Sequence, residues 1–245
     1  MSSREDWQRR LGPLYGGAVA LVSSTPWRWP TEVREDSRSP GWIVALGIPV
    51  GFVSWLVAML VHGAGVPQQI SGVFGVAMLT AASATIVERG LCERIDHWTR
   101  QSQPGVASIV TLVLTMVVRV AAIIFIPASD WLLVFLATAV VGRWAAVFLQ
   151  AIGDPILEDE SRRSLVATQS PAWLTAAISA GVAALTILAL GKAGIVALAL
   201  AAIASFTLGL EAQRRDGGLS APVVATAAAI GELLVLLVAT IGHGA

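Results

Sequence analysis

The chain has 245 residues, of which 56% are hydrophobic and only 13% are charged, and its formal net charge is zero. Its mean hydropathy is +0.74, whereas soluble domains carry about 25% charged residues. This composition excludes an ordinary soluble domain and indicates an integral membrane protein. The single cysteine, Cys92, excludes an intramolecular disulfide framework.

Long apolar runs, separated by short charged stretches, follow one another along the chain. They lack the alternation of apolar and polar residues that marks the strands of a membrane barrel. Helices of this length can cross the roughly 30 Å of hydrocarbon in a bilayer. We therefore predict an all-α fold, a polytopic membrane helix bundle with about seven transmembrane helices. The predicted spans are Trp42–His62, Gln69–Val87, Gly105–Pro127, Trp131–Ile152, Ala172–Leu190, Ala193–Leu210 and Val223–Ile241.

Basic residues are distributed unevenly around these spans. Because loops on the cytoplasmic side are enriched in Lys and Arg, the pattern predicts a cytoplasmic N-terminus and a C-terminus on the other side, where only Lys192 lies. Residues 1–41 mix both charge signs and show no signal peptide, so we predict a cytoplasmic or interfacial segment followed by a transmembrane helical domain, residues 42–245. The arginines on the predicted cytoplasmic side are Arg4, Arg9, Arg10, Arg28, Arg34, Arg38, Arg89, Arg94, Arg100, Arg162, Arg163, Arg214 and Arg215.

Ionisable residues crowd the segment Val87–His97, at the end of the second span. On a continuous helix, Glu88, Asp96 and Glu93 fall at about 0°, 80° and 140°, within one arc. Such a face could hold Mg²⁺, which needs only one or two carboxylates together with water and phosphate oxygens. The alternative is a solvated segment whose arginines set the topology. Arg89 falls at about 100° on the same wheel, where its guanidinium can pair with either neighbouring carboxylate.

A pair of glycines, Gly217 and Gly218, is followed by Ser220 immediately before the last span. Backbone N–H groups at the start of a helix can bind phosphate. A simple turn explains two adjacent glycines equally well, so both interpretations stay open.

Glu232 lies inside the last predicted span, where a carboxylate is costly unless it is paired, protonated or facing water. Arg143 in the fourth span and Arg119 in the third are its candidate partners. An ion pair of Glu232 with Arg143 and a role in substrate binding are equally compatible with the sequence. Both interpretations place these residues in the interior of the bundle.

The order of these features resembles the cobalamin synthase family, the bacterial membrane enzymes that act as adenosylcobinamide-GDP ribazoletransferases. That family carries the signature His-Glu-Asp-Gly-Leu-Ala-Asp-Thr-x-Asp-Gly after its second hydrophobic run. The segment Val87–His97 is similar to this signature and retains Glu88, Gly90, Leu91 and Asp96, with an acid at Glu93. Arg89 replaces the family's aspartate, and Val87 replaces its histidine.

Two later segments extend the resemblance. Gly142–Trp144 is similar to a Gly/Ser-Arg segment of the family, and Gly217–Ser220, before a helix with Gly231–Leu233, is similar to its glycine-rich motif. Pro222 departs from the family motif Gly-Gly-x-Thr-Gly-Asp. The stretch His97–Val106 is shorter than in the family and lacks its Met-Lys-Asp-Ser-Arg motif.

The resemblance implies a transferase that joins adenosylcobinamide-GDP to α-ribazole or its 5′-phosphate, releases GMP and requires Mg²⁺. Its partners would be the nucleotide-activated corrinoid, α-ribazole and the lipid bilayer, with no nucleic acid, and a homo-oligomer stays open. The expected location is the bacterial cytoplasmic (inner) membrane, multi-pass, with the active face towards the cytoplasm. By the same resemblance, Glu88, Glu93 and Asp96 would be catalytic and bind the metal. The substrate would be bound by Gly90, Arg143, Gly217, Gly218, Ser220 and Glu232.

Two alternatives stay open. Arg89, Pro222 and the shortened loop favour a relative with altered or lost catalysis, which acts as a membrane partner or on another phosphorylated substrate. A small transporter is the other alternative, because Arg119, Arg143 and Glu232 lie inside the bundle. The two halves show no clear repeat, and no span is visibly broken by Gly or Pro, which argues against a transporter.

Overall fold

The computed structural model describes residues 10–25, 39–83, 85–101, 105–154, 156 and 172–243. Its regular elements within these ranges are helices, so the predicted all-α membrane bundle is confirmed. Most of the predicted N-terminal segment, including residues 26–38, lies outside the described residues. The helices are α1 (Tyr15–Ser24), α2 (Ser39–Ala45), α3 (Gly47–Gly63), α4 (Gln68–Ala82), α5 (Ile86–Thr99), α6 (Val106–Ile124), α7 (Trp131–Ile152), α8 (Ala172–Leu190), α9 (Lys192–Asp216) and α10 (Ala221–His243).

Six helical stretches of the described chain are long and apolar enough to cross a membrane. The predicted spans Trp131–Ile152 and Ala172–Leu190 coincide with α7 and α8. α9 extends six residues beyond the predicted Ala193–Leu210, because Glu211–Asp216 continues the helix as a polar turn and a half. A seventh span exists only if the bent pair α4 and α5 is counted as one.

The predicted second span, Gln69–Val87, is wrong as a continuous helix. α4 ends at Ala82, α5 begins at Ile86, and the two helices are bent by 75° relative to each other. Thr85 adopts a left-handed backbone conformation with φ 56°, which is uncommon for a β-branched residue and interrupts a right-handed helix. The sequence around the bend contains neither Gly nor Pro, so a hydropathy profile does not reveal the bend.

α7 and α10 form the centre of the bundle. Their most apolar stretches are 78% and 67% buried, whereas those of α6 and α8 are 22% and 11% buried and so face lipid. Close packing around α7 depends on small residues, as is usual between membrane helices. A Cβ on Gly51 of α3 would lie 2.6 Å from the carbonyl oxygen of Phe135 in α7.

Three contacts bring five helix termini together at one end of the bundle, which we call the arginine-rich end. They join the C-terminal half of α5 to the end of α9, α5 to the start of α6, and the end of α7 to the start of α10. The residue pairs are Arg94 with Asp216, Asp96 with Gly105, and Asp154 with Leu219. This end carries the loops that the distribution of arginines assigns to the cytoplasm.

Candidate functional site

Glu88, Arg119 and Glu232 meet inside the bundle on three different helices, and we call them the buried triad. The Nη1 atom of Arg119 on α6 lies 2.8 Å from Oε1 of Glu88 on α5. Its Nη2 atom lies 2.8 Å from Oε2 of Glu232 on α10. All three side chains are at most 8% exposed, which confirms the predicted interior location of Arg119 and Glu232.

Arg143 is the fourth buried ionic group, beside the triad. Its guanidinium, 3% exposed, donates hydrogen bonds to the carbonyl oxygen of Ala139 (3.1 Å) and to Oγ of Ser83 (3.0 Å). Within the described residues it forms no ion pair, and of the two candidate partners of Glu232 it is Arg119 that forms the pair. The reason is long-range packing, since α6 rather than α7 presents its arginine to Glu232.

The bend between α4 and α5 brings Glu88 into this network. Oγ1 of Thr80, near the end of α4, donates to Oε1 of Glu88 at 3.3 Å. Ser83 follows α4 directly and contacts Arg143. No continuous helix joins the two sides of the bend. Each side instead contacts a buried ionic group.

The four buried ionic groups carry two positive and two negative charges, which limits the cost of placing them in a membrane. Four of their polar atoms still have no hydrogen-bond partner: Oε2 of Glu88, Nε and Nη2 of Arg119, and Nε of Arg143. Nη2 of Arg119 lies 2.8 Å from Glu232 as an ion pair without hydrogen-bond alignment. An unfilled buried donor or acceptor costs about 1–3 kcal/mol. Such atoms are rare in positions selected for stability alone.

The three predicted metal ligands contact three different partners. Glu88 is bound to Arg119 in the interior, Glu93 pairs with Arg89 at 2.8 Å, and Oδ1 of Asp96 accepts the Gly105 N–H at 2.9 Å. Among the described residues no group of three or more His, Cys, Asp and Glu side chains is placed to hold a metal ion. These residues do not fit a three-carboxylate Mg²⁺ site, because Glu88 contacts the bundle interior and not the arginine-rich end.

The pairing of Arg89 with a neighbouring carboxylate, predicted from the helical wheel, is confirmed at Glu93. Both side chains are exposed to solvent, 71% for Arg89 and 37% for Glu93. An exposed pair four residues apart on a helix contributes only about 0.3–0.5 kcal/mol. Glu93 can therefore exchange Arg89 for another partner, whereas Arg119 holds Glu88 in the interior.

The glycine turn, Gly217–Ser220, connects α9 to α10 at the arginine-rich end. Gly217 ends α9 with φ 79°, a left-handed conformation that favours glycine. Gly218 allows close approach of the segment after α7, since a Cβ there would lie 2.9 Å from the Asp154 carbonyl oxygen. The N–H of Leu219 donates to that same oxygen at 2.8 Å. A structural turn thus accounts for the glycines, and phosphate binding there stays a prediction.

The comparison with protein families decides the family. The model of cobalamin-5-phosphate synthase matches residues 16–240, almost the whole chain. The chain belongs to the cobalamin-5-phosphate synthase family. Family membership identifies a multi-pass membrane transferase of cobalamin biosynthesis. Comparisons with curated proteins and with solved structures give no significant match.

Arg94 and Asp216 are candidate residues of this family member that sequence analysis missed. Arg94 is 2% exposed, its Nη1 contacts Oδ2 of Asp216, and its guanidinium lies 5.1 Å from the ring centroid of Trp98. Nε2 of His97 lies 3.1 Å from Oδ1 of the same aspartate. Asp216 directly precedes Gly217, so these contacts hold the glycine turn against α5. In the sequence, Arg94 was counted only as one of the arginines that set topology.

Gly90, predicted to bind substrate, is a contact point between α5 and α10. A Cβ on Gly90 would lie 2.2 Å from the Cβ of Ala225. We expect Gly90→Ala to push α5 away from α10 and to lower the free energy of unfolding by about 1–3 kcal/mol, the usual cost of overpacking. Gly90→Ala combined with Ala225→Gly should recover most of this loss, as measured by denaturant unfolding in mixed micelles. No recovery in the double variant would contradict the helix contact.

Proposed function

We propose that this cobalamin-5-phosphate synthase homologue joins adenosylcobinamide-GDP to α-ribazole or its 5′-phosphate and releases GMP. The observation that supports it is the convergence of α5 and the glycine turn at the arginine-rich end, through Arg94 and Asp216. The predicted acids Glu93 and Asp96 are borne on α5 at that end. We propose that this end faces the cytoplasm across a bacterial inner membrane, since charged nucleotide substrates arrive from water.

The proposed reaction exchanges a phosphoanhydride bond of the pyrophosphate for a phosphate ester bond. A hydroxyl oxygen of the ribazole forms a bond to the phosphorus next to the corrinoid, the bridging bond to GMP breaks, and the hydroxyl proton passes to a base. Asp96 and Glu93 are the carboxylates at hand for this proton. The exposed side chains of Arg89 and His97 on the same helix suit the negative charge of the phosphates.

The family resemblance implies that the reaction requires Mg²⁺. Glu93 and Asp96 would hold the ion, because Mg²⁺ binds through one or two carboxylates and otherwise keeps water and phosphate oxygens. When bound there, it would neutralise charge on the pyrophosphate. Glu88 is left out of this set, because Arg119 already neutralises it in the bundle interior.

The assay of purified protein with both substrates and Mg²⁺ tests the proposal directly. We expect GMP release, and we expect Asp96→Asn to lower kcat by about 100-fold or more, as is typical when a general base is lost. Asp130→Asn is the matched control, since Asp130 precedes α7 at the opposite end of the bundle from the arginine-rich end. A parent protein that releases no GMP would contradict the proposal.

A family member with altered catalysis is the second candidate, and the Arg89–Glu93 ion pair favours it. Arg89→Asp restores the acid of the family signature and distinguishes the two. An active transferase should then show a higher KM for the corrinoid nucleotide, because the substitution replaces a positive charge that suits the phosphates by a negative one. Calorimetry could instead detect metal-dependent binding of the nucleotide in Arg89→Asp and none in the unsubstituted protein. That result would favour a family member with altered catalysis.

A further inference from the structure

Two of the predicted site acids are connected through a single residue, Arg119. This residue is 1% exposed, and its terminal nitrogens lie 2.8 Å from Glu88 and 2.8 Å from Glu232. A guanidinium presents its donors in a rigid planar fork. One arginine therefore bridges the two carboxylates, through a hydrogen bond to Glu88 and an ion pair with Glu232, and so connects helices α5 and α10.

The direction of α5 is not imposed by the helix that precedes it. α5 starts after a bend of 75° from α4, and the left-handed backbone of Thr85 separates the two. Contacts with α6, α9 and α10 must hold it instead. The Glu88–Arg119 pair lies near its start, and the Arg94–Asp216 pair lies in its second half.

The predicted catalytic acids lie further along α5 than this first contact. Glu93 and Asp96 follow Glu88 by five and eight residues, or about 7.5 and 12 Å along the helix axis. A change of tilt at Glu88 therefore moves both acids. The glycine turn, in contrast, leads into α10, which carries Glu232.

We propose that Arg119 is a positioning residue: by holding Glu88 and Glu232 on one guanidinium, it sets the separation between the acids of α5 and the glycine turn before α10. Its catalytic consequence rests on the proposed transferase function, whereas its geometric consequence does not. Arg119 acts through the two carboxylates and does not touch substrate, since it is enclosed in the bundle.

A distance measurement tests the geometry. Spin labels are attached to cysteines introduced by Thr99→Cys and Arg214→Cys, both exposed at the arginine-rich end, in the full chain carrying Cys92→Ser in nanodiscs. Electron–electron double resonance should give one narrow distance distribution for this parent. Arg119→Met should shift its mean and broaden it, and Arg119→Lys, which keeps the charge but loses the fork, should give a smaller shift. An unchanged distribution in Arg119→Met would overturn the inference.

A second variant covers the case in which Arg119→Met does not fold. Combining Arg119→Gln with Glu88→Gln removes one buried charge of each sign, so the buried ionic groups keep a net charge of zero. This variant should fold and still show the shifted distribution, because the connection through Arg119 is gone while the helices still touch at Gly90. A folded double variant with the parent's distribution would refute the role of Arg119.

Arg89→Met is the matched control, because it removes an exposed arginine from a carboxylate on the same helix. It should leave the distance distribution unchanged, and a shift equal to that of Arg119→Met would overturn the inference. If the parent turns over, Arg119→Lys should lower kcat more than it changes KM. If the protein without the Arg119 substitution shows no transferase activity, only the proposed function is refuted. The role of Arg119 in positioning is still tested, because the distances are measured without substrate.

Discussion

Replacing Arg119 with methionine is expected to lower the free energy of unfolding by about 3–5 kcal/mol, the usual cost of breaking a buried ion pair from one side. The substitution leaves two carboxylates, Glu88 and Glu232, buried without their shared counter-ion. Arg143 does not replace it, since its hydrogen bonds go to Ala139 and Ser83. Denaturant titration in mixed micelles, followed by tryptophan fluorescence, measures the change.

The same measurement on Arg89→Met provides the comparison. Both substitutions remove an arginine from a carboxylate of α5, but the Arg89–Glu93 pair is exposed. An exposed pair contributes about 0–1 kcal/mol, so Arg89→Met should change stability by no more than this. Equal losses in the two variants would show that burial of the triad contributes nothing and would contradict the electrostatic argument.

Local patterns in the sequence predicted the features that depend on neighbouring residues. The bounds of α7 and α8 follow from long apolar runs, and the Arg89–Glu93 pair follows from a spacing of four residues on a helix. The interior location of Glu232 follows from the cost of a carboxylate in lipid. Each of these needs only a helix and its environment.

Features that depend on distant parts of the chain escaped prediction. Arg94 and Asp216 are 122 residues apart in sequence, and Glu88 and Arg119 are 31 apart. Neither pair follows from helical periodicity, because each requires the packing of several helices. The sequence therefore offered both Arg143 and Arg119 as candidate partners of Glu232, and only the packing of α6 selects Arg119.

The positions of the three acids along and around α5 explain why they do not form the predicted metal face. The helical wheel placed Glu88, Glu93 and Asp96 in one arc and assumed that the arc faced one environment. The bend turns the start of α5 into the bundle, so that Glu88 meets Arg119, while Glu93 lies at the surface. Broken helices beside buried ionic groups also occur in transporters, but family membership assigns the protein to transferases.

Substituting Gly142 is expected to disturb the buried triad from the opposite side. A Cβ on Gly142 of α7 would lie 2.4 Å from Cγ of Glu232 and 3.1 Å from the carbonyl oxygen of Ala228. Gly142→Ala must therefore displace Glu232 from Arg119 or move α10 as a whole. We expect a loss of about 1–3 kcal/mol from overpacking and, in an active transferase, a fall in kcat.

Gly181→Ala is the matched control for this prediction. Gly181 lies within α8, and a Cβ there would meet nothing within 4 Å. Because Ala is the better helix former by about 0.5–1 kcal/mol, this substitution should leave stability unchanged or slightly raised. The same unfolding titration compares the two variants, and the sign of the effect distinguishes crowding from helix propensity. A Gly142→Ala variant as stable as Gly181→Ala would contradict the prediction. It would show that α10 can move without loss of stability and that the close contact of Gly142 with Glu232 does not hold the triad in place.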